Sequence, residues 1–196
     1  MKDRVALGAV LLACGVALTP ALARAQTSPN ETSDVARFYN ADYYSVDFDP
    51  KLKAWLVLVD KNHVNDRVWS AFRAGQYSIA LDDTKYALER FPNHPRALAL
   101  MGEIGRAMGQ LSPSIAAYEL ALKLYPQYAF THAQYGHFLV EIGAPGAGAA
   151  ELREALRLNP SLVAARAWLD QIESASPPAP ADRDSVGSDR TGTGGN

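Results

Sequence analysis

Pro92, Pro126 and Pro160 are spaced 34 residues apart, and Gly75, Gly109 and Gly143 keep the same interval. Ala87, Ala121 and Ala155 form a third series at this period, and the small residues Ala80, Ser114 and Gly148 a fourth. Such a period restricts the chain to a stack of similar supersecondary units, because a unit of this length cannot cover its own apolar face and is stable only against copies of itself. Within each unit the order is glycine, small residue, alanine, proline, which predicts a helix-turn-helix. Glycine ends the first helix, since it enters the left-handed backbone conformation without a side-chain clash. Proline stops the second. The small residues fall where the two helices cross and where a larger side chain would push the backbones apart. Ser112-Pro113 predicts a capping serine followed by proline at the first helical position.

This period, with small, aromatic and proline residues at these relative places, resembles the tetratricopeptide repeat (TPR) family. The units are then 61–94, 95–128 and 129–162. The second matches at Gly102, Tyr118, Ala121 and Pro126, and the third keeps Gly136, Ala155 and Pro160. The first departs from the pattern, with Arg67-Val68 where the family prefers leucine and glycine and Thr84 where it prefers an aromatic. The resemblance covers roughly half the chain and implies an all-α fold: a short α-solenoid of about three TPR-type helical hairpins. Residues 163–173, with Ala164, Ala165, Trp168, Leu169 and Ile172, predict a C-terminal capping helix. Asp49-Pro50 opens a helix carrying Leu52, Trp55, Leu56, Leu58 and Val59, which is predicted to partner the first repeat as an N-terminal helical cap. Ahead of it, the segment 34–60 begins with an aromatic and acidic stretch of Phe38, Tyr39, Tyr43, Tyr44 and Phe48 among Asp34, Asp42, Asp47 and Asp49. It reads as an irregular cap over the first helices, with a docking strap for a partner as the alternative.

Residues 1–25 have the layout of a secretory signal peptide: Lys2 and Arg4, an apolar run from Val5 to Leu18, Pro20, then small residues. The run is shorter than the roughly 20 residues a membrane-spanning helix needs. Cleavage near Ala25 is favoured, which predicts a periplasmic chain without cysteine. Leu11-Leu12-Ala13-Cys14 offers the other reading, a lipid anchor at Cys14 and an outer-membrane lipoprotein, although the apolar run continues past Cys14. Residues 174–196 are rich in Pro, Ala, Gly, Ser and Asp and predict a disordered tail, since they cannot bury enough apolar surface to order themselves.

Nineteen basic and 21 acidic side chains nearly balance, so no field steers the chain toward nucleic acid. No Gly-x-Ser-x-Gly turn, phosphate-cradling glycine loop or His-Glu-x-x-His helix occurs, and no enzyme activity and no cofactor are expected. His132 and His137 are five apart and do not share a helix face as a metal pair would, while His63 and His94 stand apart, so no metal is expected. His94 reads as a polar loop residue and Asp82-Asp83 as solvated surface. The resemblance implies that the first helix of each hairpin lines a concave face that binds a peptide or helix of another protein. Its outward residues are Asn65, Trp69, Phe72 and Arg73, then Arg96, Leu100, Glu103 and Arg106, then Phe130, Gln134, His137 and Glu141. One subclass of the family grips the carboxylate terminus of heat-shock chaperones with lysine, asparagine and arginine on these helices. Here Asn65, Trp69, Leu100, Phe130 and Gln134 stand at those places, so that clamp is not expected. The expected role is a non-catalytic interaction module of the cell envelope, an adaptor, scaffold or assembly factor, or a lipid-anchored structural subunit if Cys14 is retained.

Overall fold

Eight α-helices succeed one another within residues 38–175, the part of the chain that the computed structural model describes. The predicted signal peptide with Cys14, Asp34, and the part of the predicted tail from residue 176 onward lie outside these residues. A short 3-10 turn, Tyr43–Phe48, leads into α1 (Pro50–His63), and three hairpins follow. They are α2 (Asp66–Arg73) with α3 (Tyr77–Arg90), α4 (Pro95–Met108) with α5 (Ser112–Leu124), and α6 (Ala129–Glu141) with α7 (Pro145–Leu158). The last helix, α8 (Val163–Ala175), runs two residues past the predicted end at 173. No strand occurs among the described residues. The fold is an all-α solenoid of TPR-type hairpins.

The periodic residues act at the helix ends. Gly75, Gly109 and Gly143 follow α2, α4 and α6 with φ of 75°, 67° and 86°, a left-handed conformation that costs an L-residue roughly 1–2 kcal/mol. A Cβ on any of the three would meet nothing within 4 Å, so the requirement is one of backbone conformation and not of space. Pro92, Pro126 and Pro160 each come two residues after the end of α3, α5 and α7.

Caps complete several starts. Asp49 accepts from the backbone N–H of Lys51 and Leu52 at α1, and Asn65 from Arg67 and Val68 at α2. Ser112 does not cap α5 as expected. The first helical bond runs from the Ile115 N–H to the Leu111 carbonyl, which puts Leu111 at the cap and Ser112 inside the first turn. The buried Ser114 carries the polar contact instead, donating its hydroxyl to the Met101 carbonyl of α4 at 2.7 Å.

Close crossings hold each hairpin. Ala80 and Ser114 are fully buried in the first two. In the third, Gly136 of α6 and Gly148 of α7 bring the backbones together: a Cβ on Gly148 would lie 2.7 Å from the Gly136 carbonyl oxygen and 2.6 Å from Val140 Cγ2. The main core runs from Val59 of α1 through Phe91, Leu98 and Met101 to Tyr118, which stacks on Tyr135 and Phe138 with centroids 5.2 and 5.4 Å away. A second cluster, with Leu152, Leu156 and Leu169, seats α8 on the third hairpin.

The aromatic and acidic segment lies along the loops between repeats. Backbone bonds run from Asn40 to the Glu89 carbonyl and from Ala41 to the Arg90 carbonyl. Asp42 accepts from Asn93 Nδ2 at 2.7 Å and from the Tyr128 hydroxyl, while Asn93 Oδ1 accepts from the Tyr43 N–H at 2.9 Å. Phe38 packs on Trp55 of α1, and Tyr44 on Tyr128. Burial pushes the Tyr44 phenol up to about 12. One segment thus joins α1 to both inter-repeat loops.

Candidate functional site

Each first helix presents its residues to the inner face at helical spacing, so α4, α6 and α8 contribute side chains to a single cavity of about 190 Å³. Glu103 comes from α4, Phe130, Gln134, His137 and Glu141 from α6, and Trp168 from α8. Arg106 bridges the acids, donating to Glu103 at 2.7 Å and pairing with Glu141 at 3.0 Å. Those two carboxylates, with Glu103 bonded first and burial opposing it, hold the guanidinium pKa above its ordinary value. His137 lies 4.2 Å from the Trp168 ring, tilted at 33°. Tyr118 forms the floor, its pKa raised by burial and then by Glu141 and Glu103.

The twelve residues expected on this face divide. Glu103, Phe130, Gln134, His137 and Glu141 line the cavity, and Arg106 joins Glu103 to Glu141 without being part of the lining. Asn65, Trp69, Phe72, Arg73 and Arg96 do not line the cavity. Asn65 is spent on capping α2 and on the Lys61 carbonyl. Trp69 and Phe72 meet edge to face at 6.3 Å and pack on Val68, Ala80 and Ile104, away from the N-terminal segment on the loop edge. Arg73 donates to the Ser70 hydroxyl. Leu100 is not a surface residue: it is 1% exposed, because the short first hairpin sits directly against that side of α4 and takes Leu100 into its cluster. Trp168 was assigned only to the capping helix. The period itself could have placed it, since Leu100, Gln134 and Trp168 are 34 residues apart.

Three of the four histidines, His63, His94 and His132, are structural pins. His94, a polar residue of the inter-repeat loop that caps α4, is wholly buried. Its Nδ1 accepts from the Ala97 N–H at 3.3 Å, so Nε2 carries the proton to Asp60, and one neutral ring satisfies both partners. Asp83 is likewise no solvated surface group, since it meets His63 at 2.8 Å and accepts from Arg67 at 3.1 Å. Among the described residues no three histidine, cysteine or acidic side chains are grouped to hold a metal. No described helix is long and apolar enough to cross a membrane.

His132 differs from His94, because both of its nitrogens face acceptors: Nε2 the Pro126 carbonyl at 2.9 Å and Nδ1 the Glu151 carboxylate at 2.7 Å. A carbonyl can only accept, so a ring that also donates to a carboxylate is an imidazolium. Burial lowers its pKa, but the bonds to Glu151 and Pro126 outweigh that, and the net shift is upward. The folded pKa lies above the unfolded one, so this contribution is fully present below the unfolded pKa, about 6.5, and is lost as pH rises through the folded value. Urea midpoints should therefore fall across that window, each unit of elevation being worth about 1.4 kcal/mol. His132→Gln should flatten the slope, and an unchanged slope would remove His132 from the account.

No family model matches the sequence, and no curated protein matches it. Among solved structures, the chain is similar to the Sgt2 TPR domain from Aspergillus fumigatus, at 21% identity and a TM-score of 0.47 over 66% of this chain and 91% of that one. It is also similar to SycD, the type III secretion translocator chaperone of Yersinia enterocolitica, at 15% identity and a TM-score of 0.46 over 59% and 92%. The first TPR of Spaghetti bound to an HSP90 peptide gives 17% identity and a TM-score of 0.45 over 57% and 89%. The hairpin solenoid itself is established by this chain's own helices, turn glycines and crossings.

Proposed function

We propose that this chain is a non-catalytic protein-interaction module of the bacterial cell envelope, exported to the periplasm, which holds a peptide or helix of another protein against its inner face. It would act there as an adaptor, scaffold or assembly factor. The observation that carries the reading is the cavity between α4, α6 and α8. Glu103, Phe130 and Glu141 reach it from the exposed sides of their helices and seal no core. Aromatic rings beside fixed polar groups in a concavity are what orients a bound ligand. Export rests on the leader pattern of residues 1–25.

The test is capture after crosslinking in intact cells, with the protein and a Trp168→Ala, Glu141→Ala variant of unchanged helical content and unfolding midpoint. Loss of one specific protein from the variant is expected. Capture of the same set by both would overturn the inner-face reading. Intact mass of the captured protein checks the compartment: a start near Gln26 without acyl mass is expected, and a start at acylated Cys14 would replace the periplasmic reading with a lipid-anchored one.

A further inference from the structure

We propose that the cavity between α4, α6 and α8 receives the charged end of a lysine or arginine side chain presented by a partner protein. The inference rests on the reading of this face as the binding face and adds the chemistry of what it binds. At about 190 Å³ the cavity has room for several water molecules, and so for the end of one long side chain.

Three acceptors stand in its polar lining, beside the His137 ring and the Tyr118 hydroxyl. Glu103 and Glu141 contribute two negative charges, and the bridging Arg106 supplies one positive charge, so the set keeps an excess of negative charge. Arg106 bonds one oxygen of each carboxylate and leaves the second oxygen of each outside the bridge. Glu141 Oε2 has His137 Nδ1 at 3.7 Å, too far for a hydrogen bond. The third acceptor is Gln134. Its Nε2 donates to the Pro95 carbonyl at 3.0 Å, which fixes the orientation of the amide because that carbonyl cannot donate. Gln134 Oε1 is then left buried without a hydrogen-bond partner. A buried acceptor without a partner in the chain takes a donor from water or from a bound group.

The walls agree. Trp168 and Phe130 bring aromatic rings, and ring faces attract ammonium and guanidinium groups. Arg96 is the other cation on α4, but it does not line the cavity. An acidic ligand group would meet two carboxylates and an amide oxygen. A purely apolar one would strip them of water without replacement. A cation with several N–H donors matches the excess negative charge and the free carboxylate oxygens, which neither of those groups does.

The experiment is selection of random displayed peptides on the purified protein, followed by titration of the selected peptide while the Trp168 indole resonance is observed. Peptides sharing one fixed Lys or Arg are expected, with an indole shift and affinity that weakens at high salt. The Glu103→Gln, Glu141→Gln variant should lose tenfold or more in affinity at unchanged helical content, and replacing the fixed Lys or Arg by norleucine should do the same. Selected peptides that shift the indole but share no basic residue would overturn this inference and leave the inner-face reading standing. Peptides that bind without shifting the indole would sink both. The chain's own Arg183 and Arg190 are the competing occupants. Unchanged affinity in the full-length Arg183→Ala, Arg190→Ala variant is expected, and a tenfold gain would assign the cavity to the tail and overturn the partner.

Discussion

Asn93→Ala is expected to lower the free energy of unfolding by about 2–4 kcal/mol, far more than a loop substitution ordinarily costs. Asn93 is fully buried and spends both ends of its amide on the N-terminal segment, accepting from the Tyr43 N–H and donating to Asp42. Alanine removes a bond to a charged group, worth about 1.5–3 kcal/mol, and leaves the Tyr43 N–H without its partner. The damage should spread, because Asp42 also accepts from the Tyr44 N–H and the Tyr128 hydroxyl, and those bonds rely on the same loop geometry. Tyr128→Phe, which deletes only one of these bonds and leaves Asp42 its other donors, should cost about 1.5 kcal/mol, the low end of the range for a bond to a charged group. Urea unfolding followed by far-ultraviolet circular dichroism decides the matter. A loss below 1 kcal/mol for Asn93→Ala would mean that the segment frays independently of the hairpins.

This anchor also marks where sequence reasoning stops. The hairpins were legible because their signals are local and periodic: a glycine that must take positive φ, a proline two residues past a helix end, a small residue at a crossing. Asn93 and Asp42 belong to no period. Their bonds join residues separated by 50 or more positions, and nothing in the aromatic and acidic stretch says which loop it will meet. The inner face was half legible for a related reason. Glu103, His137 and Glu141 follow from helical spacing within regular hairpins, whereas Leu100 was misplaced because Val68, Trp69 and Phe72 of the first hairpin belong to the cluster that buries it. Trp168 was overlooked by treating α8 only as a cover, although a helix that continues the period also continues the face.

Gly148→Val is expected to cost about 3 kcal/mol or more and to disturb the inner face without changing any residue on it. Even the first carbon of a side chain would stand 2.7 Å from the Gly136 carbonyl oxygen and 2.6 Å from Val140 Cγ2, and the backbone atom cannot turn aside. Valine adds two further methyls to that contact, and overpacking of this kind costs about 1–3 kcal/mol before any backbone is displaced. Its gain in helix propensity over glycine, a few tenths of a kcal/mol, is far too small to offset this. Gly146→Ala is the control, two residues away in the same helix with nothing within 4 Å of the added carbon; it should be neutral or stabilise by up to about 1 kcal/mol. Relief of the clash requires α6 and α7 to separate. Because α6 carries Phe130, Gln134, His137 and Glu141, and α8 is packed on α7 through Leu152, Leu156 and Leu169, separation moves one wall of the cavity relative to the other. The 4.2 Å contact between His137 and Trp168 is the most direct reporter. A shifted Trp168 indole resonance together with the lowered stability is the expected pair of results. A large loss of stability with an unmoved indole would mean that the third hairpin yields on its outer side, leaving α6 and α8 in register.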